Sequence, residues 1–501
     1  MKRFIYYRSI NMYTLEEIQN FKGKYPKQLW TLFTVEMWER FCFYGMRGVL
    51  TIFMVDQLGL LEDKANLQYG AIQAFIYAFT FIGGIFADKI LGFKRSLVFG
   101  GLIMSIGNLI IAFSPHDFFY FGITCSIIGT GFFKPNISSM VGELYKEDDP
   151  RRDAGYGLFY AGINIGGLLG GALCVYLGKY YSWSWCFLAA AIVMILGLIT
   201  FFATKKSLGP IGDSPLQMLP QSKRTLREVL VYIGALLSMP LIFIMVKNTD
   251  YTDYFMYLIG IVAVGYFIIE TLKQTTPYQK KLIAAFIFIF MYFLFNSIYE
   301  QSGGSLSLFA KDNLVHNLLG FGMDPNVINN SANSFFIIIF SPLIGLAWIG
   351  LNKRKLEPNT INKFGIGFLF LAAGFFLFYS LRYFAGTDGK SSLNLFTFTW
   401  LVITFGELCL GPIGMSIITK LSPKKMFGMM MGLWFLASAF GQFAAGKIGA
   451  SLSESNTGNT NMSKLIAYTD GYKTLGIYAL IAGVVLILMS TFVRRLMQDV
   501  K

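Results

Sequence analysis

Long apolar runs, separated by short polar segments, make up most of this sequence. Each run holds about 18 residues or more, which is enough to cross a bilayer as an α-helix. The pattern therefore predicts an all-α polytopic membrane protein with about 14 transmembrane helices. The runs lie at residues 29–56, 67–91, 96–113, 118–143, 155–178, 183–203, 226–246, 253–273, 281–309, 327–351, 362–384, 394–420, 426–450 and 472–496.

Basic residues fall in every second connection between these runs. With both termini in the cytoplasm, these connections become cytoplasmic loops, as the positive-inside rule requires. The opposite loops carry more acids than bases, for example Asp56, Glu62, Asp63 and Asp117. We therefore predict cytoplasmic termini. The cytoplasmic bases are Lys89, Lys94, Arg95, Arg151, Arg152, Lys205, Lys206, Lys223, Arg224, Arg227, Lys273, Lys280, Lys281, Lys353, Arg354, Lys355, Lys424 and Lys425.

The composition agrees with a membrane protein and argues against a nucleic-acid partner. Hydrophobic residues make up 54% of the 501 residues and charged residues 14%. The net charge of +14 is spread over many short loops, whereas nucleic-acid binding needs a concentrated basic patch. The cysteines lie in or beside apolar runs without a CxxC pair, which indicates core residues and not disulfides or metal ligands. They are Cys42, Cys125, Cys174, Cys186 and Cys409.

The N-terminus begins with a few basic residues, Lys2, Arg3 and Arg8. No short apolar region with a small-residue cleavage site follows them, so we expect no removable signal peptide. Met12 would also serve as the first residue of the protein, which leaves open whether the first eleven residues are an upstream extension.

The connection at residues 205–227 contains several Gly and Pro residues and is interpreted as a linker. The two apolar runs after it carry no charge at their centres and are interpreted as an insertion outside the working site. Removing them leaves about six helices on each side, as in transporters whose two bundles rock about a central site. A mobile surface loop is expected at residues 451–470. The predicted division is an N-terminal cytoplasmic segment at 1–28, a six-helix bundle at 29–204, the linker and inserted helices at 205–280, and a second six-helix bundle at 281–501.

Four ionisable residues interrupt the first apolar run: Glu36, Glu39, Arg40 and Arg47. On a helix of about 100° per residue, Phe43 and all of these except Glu39 fall within roughly 60° of one another. Each charge near the bilayer centre costs at least about 2.5 kcal/mol on insertion scales. The stripe is therefore expected to line a watery cavity or to pair with charges on other helices. The alternative is a peripheral helix with a solvated charged face.

Few other charges lie deep in the apolar runs, namely Lys134, Glu300 and Glu407. Together with the first run they give four acids against three bases, which suits mutual pairing and leaves a carboxylate able to take a proton. A purely structural role for these pairs is the alternative. His116 and His316 fall in predicted loops, so carboxylates and not imidazoles are the expected proton carriers.

The connection between the second and third runs has glycine, acid, base and glycine at characteristic positions. It resembles the loop signature of the major facilitator superfamily, where the charges hold two bundles together in one state and release them in the other. An ordinary positive-inside loop is the alternative interpretation. The residues that match are Gly84, Asp88, Lys89, Gly92, Lys94 and Arg95.

Three further stretches carry a more specific resemblance: residues 36–45 with the pattern ExxERFxFYG, residues 159–166 in the fifth run, and residues 406–408. Residues 133–139, 149–155 and 431–436 fit the same pattern. From about Tyr25 to the last run, the chain resembles bacterial members of the proton-coupled oligopeptide transporter family of the major facilitator superfamily. The resemblance implies two six-helix bundles, with the two-helix insert common in bacterial members.

The resemblance also implies residue roles. Arg40 and Lys134 match residues that attract the peptide carboxylate, while Glu407, with Asn164 and Asn333, matches residues that receive the amino terminus. Pocket-lining aromatic positions are matched by Tyr44, Tyr69, Tyr160 and Trp434. Proton-coupling positions are matched by Glu36, Glu39, Arg40, Arg47 and Glu300, with Arg47 and Glu300 expected to pair between the bundles. Protonation of Glu300 would loosen that pair.

Three departures from the family pattern leave the peptide preference open: Phe43 replaces a tyrosine, Asn296 replaces a tryptophan, and Gly411-Pro412 replaces Ser-Pro. The leading prediction is a proton-driven importer of di- and tripeptides in a bacterial cytoplasmic membrane, functional as a monomer and without a cofactor. A second is a transporter of another small solute on the same scaffold. An enzyme is disfavoured because catalytic motifs and metal clusters are absent from the sequence. A passive channel is disfavoured because the charges lie singly on different helices.

Overall fold

A computed structural model describes residues 13–146, 148–454, 460–498 and 500. The basic residues Lys2, Arg3 and Arg8 and the alternative start at Met12 lie outside the described residues. The helices are α1 (Leu15–Gln19), α2 (Lys27–Asp56), α3 (Glu62–Phe86), α4 (Phe93–Phe113), α5 (Pro115–Glu143), α6 (Arg152–Tyr180), α7 (Trp183–Thr204), α8 (Gln221–Leu237), α9 (Met239–Lys247), α10 (Thr249–Leu272), α11 (Thr276–Tyr299), α12 (Ser305–Asn313), α13 (Pro325–Lys353), α14 (Thr360–Ser380), α15 (Leu393–Leu421), α16 (Phe427–Glu454), α17 (Asn461–Leu488) and α18 (Ser490–Met497). A short hairpin joins β1 (Asn317–Leu318) to β2 (Phe321–Gly322).

The helical membrane class predicted from the apolar runs is confirmed. Within the described residues, twelve helical segments are long and apolar enough to cross a membrane. The first and fourth predicted runs are also helical, as α2 and α5. How many of these helices span the bilayer, and on which side the termini lie, stay predictions.

Two predicted loops are helical instead. Most of the surface loop expected at residues 451–470 belongs to α16, which continues to Glu454, and to α17, which begins at Asn461 behind the N-cap Thr460. Residues 455–459 of that prediction lie outside the described residues. His116 was expected in a loop but lies in the first turn of α5, directly after Pro115. Polar residues form first helical turns readily when a cap or a proline starts the helix, so the apolar pattern alone places these ends too late.

Some long apolar runs contain a break in the helix. The run at 226–246 divides at Ser238, just before Pro240, and the run at 281–309 divides at a 3₁₀ turn over Glu300–Gly303. A proline lacks the N–H donor, and the glycines after Glu300 disfavour a continuous helix, so both breaks have a local cause. The second break places Glu300 at the end of α11.

The chain divides into two compact units, of which the first comprises the described parts of Met1–Val49 and Phe75–Lys247. Within it, α6 packs closely on α2 through small residues. A Cβ atom on Gly166 would lie 2.2 Å from the carbonyl oxygen of Met37, and one on Gly170 would lie 2.2 Å from that of Phe41. Close backbone approach through glycine is a common way to pack helices in membranes. It fixes the position of the helix that carries Arg40.

Replacing Gly166 with alanine is expected to destabilise the folded protein by about 1–3 kcal/mol, because the added methyl group overpacks the contact with α2. Gly157, in the same helix, is a matched control, since a Cβ atom there would meet nothing within 4 Å. The measurement is the thermal unfolding midpoint of both variants in detergent. Equal midpoints for Gly166→Ala and Gly157→Ala would contradict this packing.

The second unit comprises Leu50–Ala74 and the described parts of Asn248–Lys501. Its first segment is tied to the rest by polar contacts: the Thr51 hydroxyl donates to the carbonyl of Gly303, and Lys464 Nζ lies 2.5 Å from Glu62 Oε1. The inserted helices separate at this division, with α8 and α9 in the first unit and α10 in the second. The domain boundaries taken from the sequence stay predictions.

Candidate substrate and proton site

The charged stripe of α2 forms a buried cluster centred on Arg40. Its Nε atom donates to Glu36 Oε1 at 2.7 Å and lies 3.0 Å from Glu39 Oε2. Both glutamates are completely buried, and Arg40 is 2% exposed. The helical spacing of four residues between Glu36 and Arg40 produces the first contact directly. Three residues of the predicted coupling set are therefore brought together.

This cluster holds more acid than the arginine neutralises. Three of the four carboxylate oxygens, Glu36 Oε2 and both oxygens of Glu39, accept no hydrogen bond from any described residue. A buried charge without hydrogen-bond donors is costly, and a proton on one carboxylate would remove that cost. The proton-carrying role that the resemblance implies for these glutamates stays a prediction.

The ammonium group of Lys134 lies beside aromatic rings on the same unit. Its Nζ atom is 4.3 Å from the ring centre of Tyr77 and 5.4 Å from that of Phe43, and it makes no ion pair with another described residue. The guanidinium carbon of Arg40 is 5.7 Å from the same Phe43 ring. Phe43, one of the departures from the family pattern, thus contacts both predicted carboxylate-binding cations through its π face.

The remaining predicted substrate-binding and proton-coupling residues of the first unit lie on α2 and α6. The Asn164 side chain, on α6, donates through Nδ2 to the carbonyl of Tyr160 at 2.9 Å, which leaves its Oδ1 atom as the acceptor. Tyr160 itself is 37% exposed. On α2, the guanidinium carbon of Arg47 lies 5.9 Å from the ring centre of Tyr44.

In the second unit, Glu407 is held by two donors. Tyr299 donates its hydroxyl to Glu407 Oε2 at 2.7 Å, and Asn333 donates Nδ2 to the same oxygen at 2.8 Å. Asn333 also lies 3.2 Å from the hydroxyl of Thr404. The predicted pair of Asn333 and Glu407 is thus in contact. Both donors stabilise the ionised carboxylate, which is the form that attracts an ammonium group.

Tyr299 was missed by the sequence analysis, although it directly precedes Glu300. Since the resemblance predicts that Glu407 receives the peptide amino terminus, replacing Tyr299 with phenylalanine is expected to weaken peptide binding by up to about tenfold, because Glu407 loses a charge-assisted hydrogen bond that positions it. Tyr379→Phe is the matched control, since the Tyr379 hydroxyl pairs with that of exposed Tyr383 and not with Glu407. Dissociation constants for dialanine measured on the two purified variants test this. An unchanged constant for Tyr299→Phe would exclude the positioning role.

Trp434 lies in an aromatic stack. Its ring is 3.9 Å from that of Tyr292 and inclined by 12°, and a Cβ atom on Gly414 would lie 2.2 Å from its far edge. Asn296, the second departure from the family pattern, donates Nδ2 to the backbone carbonyl of Tyr292 at 2.8 Å. Trp434 is therefore rigidly held, and the Asn296 amide group donates its hydrogen bond within its own helix. The side chain of Pro412, in the third departure, lies outside the described residues.

Glu300 is buried in the turn between α11 and α12. The backbone of that turn is fixed from several sides. Thr51 donates to the carbonyl of Gly303, Asn329 donates to that of Ser302 at 2.7 Å, and a Cβ atom on Gly303 would lie 2.0 Å from the Tyr69 hydroxyl. Tyr69, predicted to line a pocket, is only 1% exposed and packs on this turn. Arg47 and Glu300 belong to different units, and their pairing stays a prediction.

The predicted gating loop folds as a π-helical turn over Ala87–Leu91 followed by Gly92 with φ +75°. A Cβ atom on Gly92 would lie 2.5 Å from the backbone of Asp213, so only glycine fits. Lys94 Nζ donates to Asp213 Oδ1 at 2.8 Å, and Arg95 pairs with Glu228. The two bases therefore bind the linker and α8 within the first unit. The predicted gate between the bundles stays a prediction.

Asp149, in one of the family-like segments, is held in its charged form by a neighbouring arginine. Side-chain hydrogen bonds from Arg151 hold the pKa of Asp149 at about 2, well below its usual value. Arg151 also donates to the carbonyls of Phe21 and Gly23, which fastens the N-terminal segment. In the described part of the chain, no group of three or more His, Cys, Asp and Glu side chains is placed to hold a metal ion.

Comparisons with known proteins agree along nearly the whole chain. The family model described as PTR2, POT family, matches residues 94–465. Peptide transporter YePEPT of Yersinia enterocolitica subsp. palearctica is 34% identical over 500 residues, covering 95% of this chain and 96% of that protein. Dipeptide and tripeptide permease A of Serratia proteamaculans is 29% identical over 478 residues, covering 95% of this chain and 93% of the permease.

Solved structures show the same fold. A crystal structure of peptide transporter POT in complex with sulfate superposes with a TM-score of 0.82 at 31% identity, covering 97% of this chain and 100% of the other. A crystal structure of tetrameric PepTSo2 superposes with a TM-score of 0.82 at 26% identity, covering 94% of this chain and 99% of the other.

Proposed function

Because the chain belongs to the POT family, whose members are transporters and not enzymes, and is similar to peptide transporters in that family, we propose that it is a proton-coupled symporter. It imports di- and tripeptides across the cytoplasmic membrane of a bacterium by alternating access, and it works as a monomer. The proton gradient drives it, without a cofactor. The rest of this proposal assigns the peptide ends and the protons to particular residues.

A di- or tripeptide is a zwitterion, so a general peptide transporter must hold two opposite charges and tolerate varied side chains. Arg40 and Lys134 attract the terminal carboxylate, and Glu407 receives the amino terminus. The geometry supports these roles, because Lys134 makes no ion pair with a described residue and two neutral donors fix Glu407. Trp434 supplies an apolar face, as suits variable side chains.

The observation that carries the proposal is the buried contact of Arg40 with both Glu36 and Glu39. A peptide carboxylate that approached Arg40 would compete with these glutamates for the same guanidinium. The carboxylate left without its partner would then favour its protonated form, because burial disfavours the charged one. Peptide binding and proton uptake are thereby linked at one residue.

The second coupling step uses Arg47 and Glu300. Protonation of Glu300 neutralises its charge and releases Arg47, which frees one face of the transporter to open. The support from the structure is the position of Glu300, in a turn whose backbone is fixed by Thr51 and Asn329. A change in the charge of Glu300 therefore acts on the turn that connects α11 to α12.

Counterflow of labelled dialanine into proteoliposomes tests the substrate class. Dialanine and trialanine are expected to compete with the label, whereas alanine, N-acetyl-dialanine and dialanine amide should compete at least about tenfold less well, since each lacks a correctly spaced charge. Liposomes without protein are the control. The absence of peptide-dependent flux at any pH would favour the alternative, a transporter of another small solute, for which Phe43 and Asn296 are the distinguishing residues.

A further inference from the structure

A groove of about 450 Å³ lies in the first unit between the inserted helix α8 and the end of α3. Its walls are apolar, with Phe79, Ile82 and Phe86 on one side and Leu230 on the other. Gly234 also lines the groove, and a Cβ atom there would meet nothing within 4 Å. This groove is separate from the charged cluster around Arg40 and takes no part in the transport proposal.

The groove opens on an apolar surface of the kind that faces lipid. On α8, the large apolar side chains Leu226 and Leu237 are 61% and 72% exposed, as expected of a helix that faces the hydrocarbon of a bilayer. An apolar groove on such a surface does not hold water, because water there would lack hydrogen-bond partners. A lipid acyl chain is the material available to fill it.

A cation marks one end of the groove. Arg227 lines it, is exposed, and makes no ion pair with another described residue. Gly234 follows it by seven residues, so about 10 Å of apolar wall separates the two along the helix. Arg227 lies on the base-rich side, which the charge distribution predicts to be cytoplasmic. An apolar slot with a cation at its cytoplasmic end matches a lipid with an anionic headgroup.

We propose that this groove binds one anionic phospholipid of the cytoplasmic leaflet, with an acyl chain between α3 and α8 and the headgroup phosphate on Arg227. The site gives the inserted helix α8 a role. It also lies next to the gating loop, because Glu228, the neighbour of Arg227, pairs with Arg95. Exchange of the lipid would therefore affect the ion pair between Glu228 of α8 and Arg95 of that loop.

Two substitutions separate the parts of this site. Arg227→Gln removes the headgroup contact, and Gly234→Phe fills the slot. Each has a matched control: Arg494→Gln removes an exposed arginine from α18, and Gly265→Phe adds the same ring to the other inserted helix, where a Cβ atom also meets nothing within 4 Å. Arg227→Lys keeps the charge and serves as the conservative variant.

Native mass spectrometry of the full-length protein, titrated with phosphatidylglycerol or with phosphatidylcholine of the same acyl chains, measures the first lipid bound. The wild type is expected to prefer phosphatidylglycerol by about fivefold, the effect of one favourable basic contact. Arg227→Gln should lose this preference and Arg227→Lys should keep it, while Gly234→Phe should bind both lipids about tenfold less. The proposal is overturned when Arg227→Gln retains the wild-type preference, or when Gly234→Phe binds lipid as Gly265→Phe does. Neither outcome depends on peptide transport.

Discussion

A Glu300→Gln variant is expected to lose proton-driven peptide uptake while it continues to exchange peptide in counterflow. Glutamine has the shape of the protonated carboxyl group but cannot release a proton, so net coupling stops. Exchange needs no net proton movement and survives. The turn that carries Glu300 remains anchored by Thr51 and Asn329, whose contacts are with the backbone and not with the glutamate side chain.

The control for this variant is Glu270→Gln, which removes a carboxylate from the exposed pair between Glu270 and Lys273. It should leave both uptake and counterflow unchanged. The two assays are run on the same proteoliposomes, with and without an inward proton gradient. Equal loss of uptake and counterflow in Glu300→Gln would remove Glu300 from the coupling role.

A Glu407→Gln variant is expected to weaken peptide binding by about 2 kcal/mol or more, which is roughly 30-fold in the dissociation constant. The amide keeps the size of the side chain and can still bond to Tyr299 and Asn333. The charge that attracts the peptide ammonium group is lost. Equilibrium binding of dialanine to the purified protein measures the effect.

A chemical change in the ligand identifies which end of the peptide Glu407 recognises. Acetylation of the amino terminus removes the ammonium group, so it should weaken binding to the wild type strongly and to Glu407→Gln only slightly. The two changes, Glu407→Gln in the protein and acetylation of the peptide, form a thermodynamic cycle. Its interaction energy isolates the contact between Glu407 and the peptide ammonium group. Additive losses, with acetylation equally harmful in both proteins, would place the amino terminus elsewhere.

The sequence predicted the helices well because burial in lipid leaves a strong apolar pattern. The breaks in the helices are not visible in this apolar pattern. At Glu300–Gly303 and at Ser238 the apolar residues continue on both sides, so hydropathy indicates one helix where the backbone forms two. Helix ends that start with polar residues, such as the first turns of α17, were placed too late because hydropathy detects only the apolar part of a helix.

Part of the candidate site stood out in the sequence because it contains a rare residue type, although the roles of its residues stay predictions. A buried charge is costly, so Glu36, Glu39 and Arg40 were conspicuous, and the structure brings them into contact. Tyr299 was not conspicuous, because aromatic residues make up 17% of the chain. The partners of the predicted gating loop were missed because a linker rich in Gly and Pro looks flexible, whereas Asp213 is held there by Lys94.

Proton-driven accumulation of labelled dialanine in proteoliposomes tests the central claim most directly. The measurement compares the internal and external concentrations of the label with an inward proton gradient, without one, and with a protonophore added. The proposed mechanism predicts accumulation above the external concentration that requires the gradient and disappears with the protonophore. A dialanine flux that is the same under all three conditions would contradict proton-coupled symport.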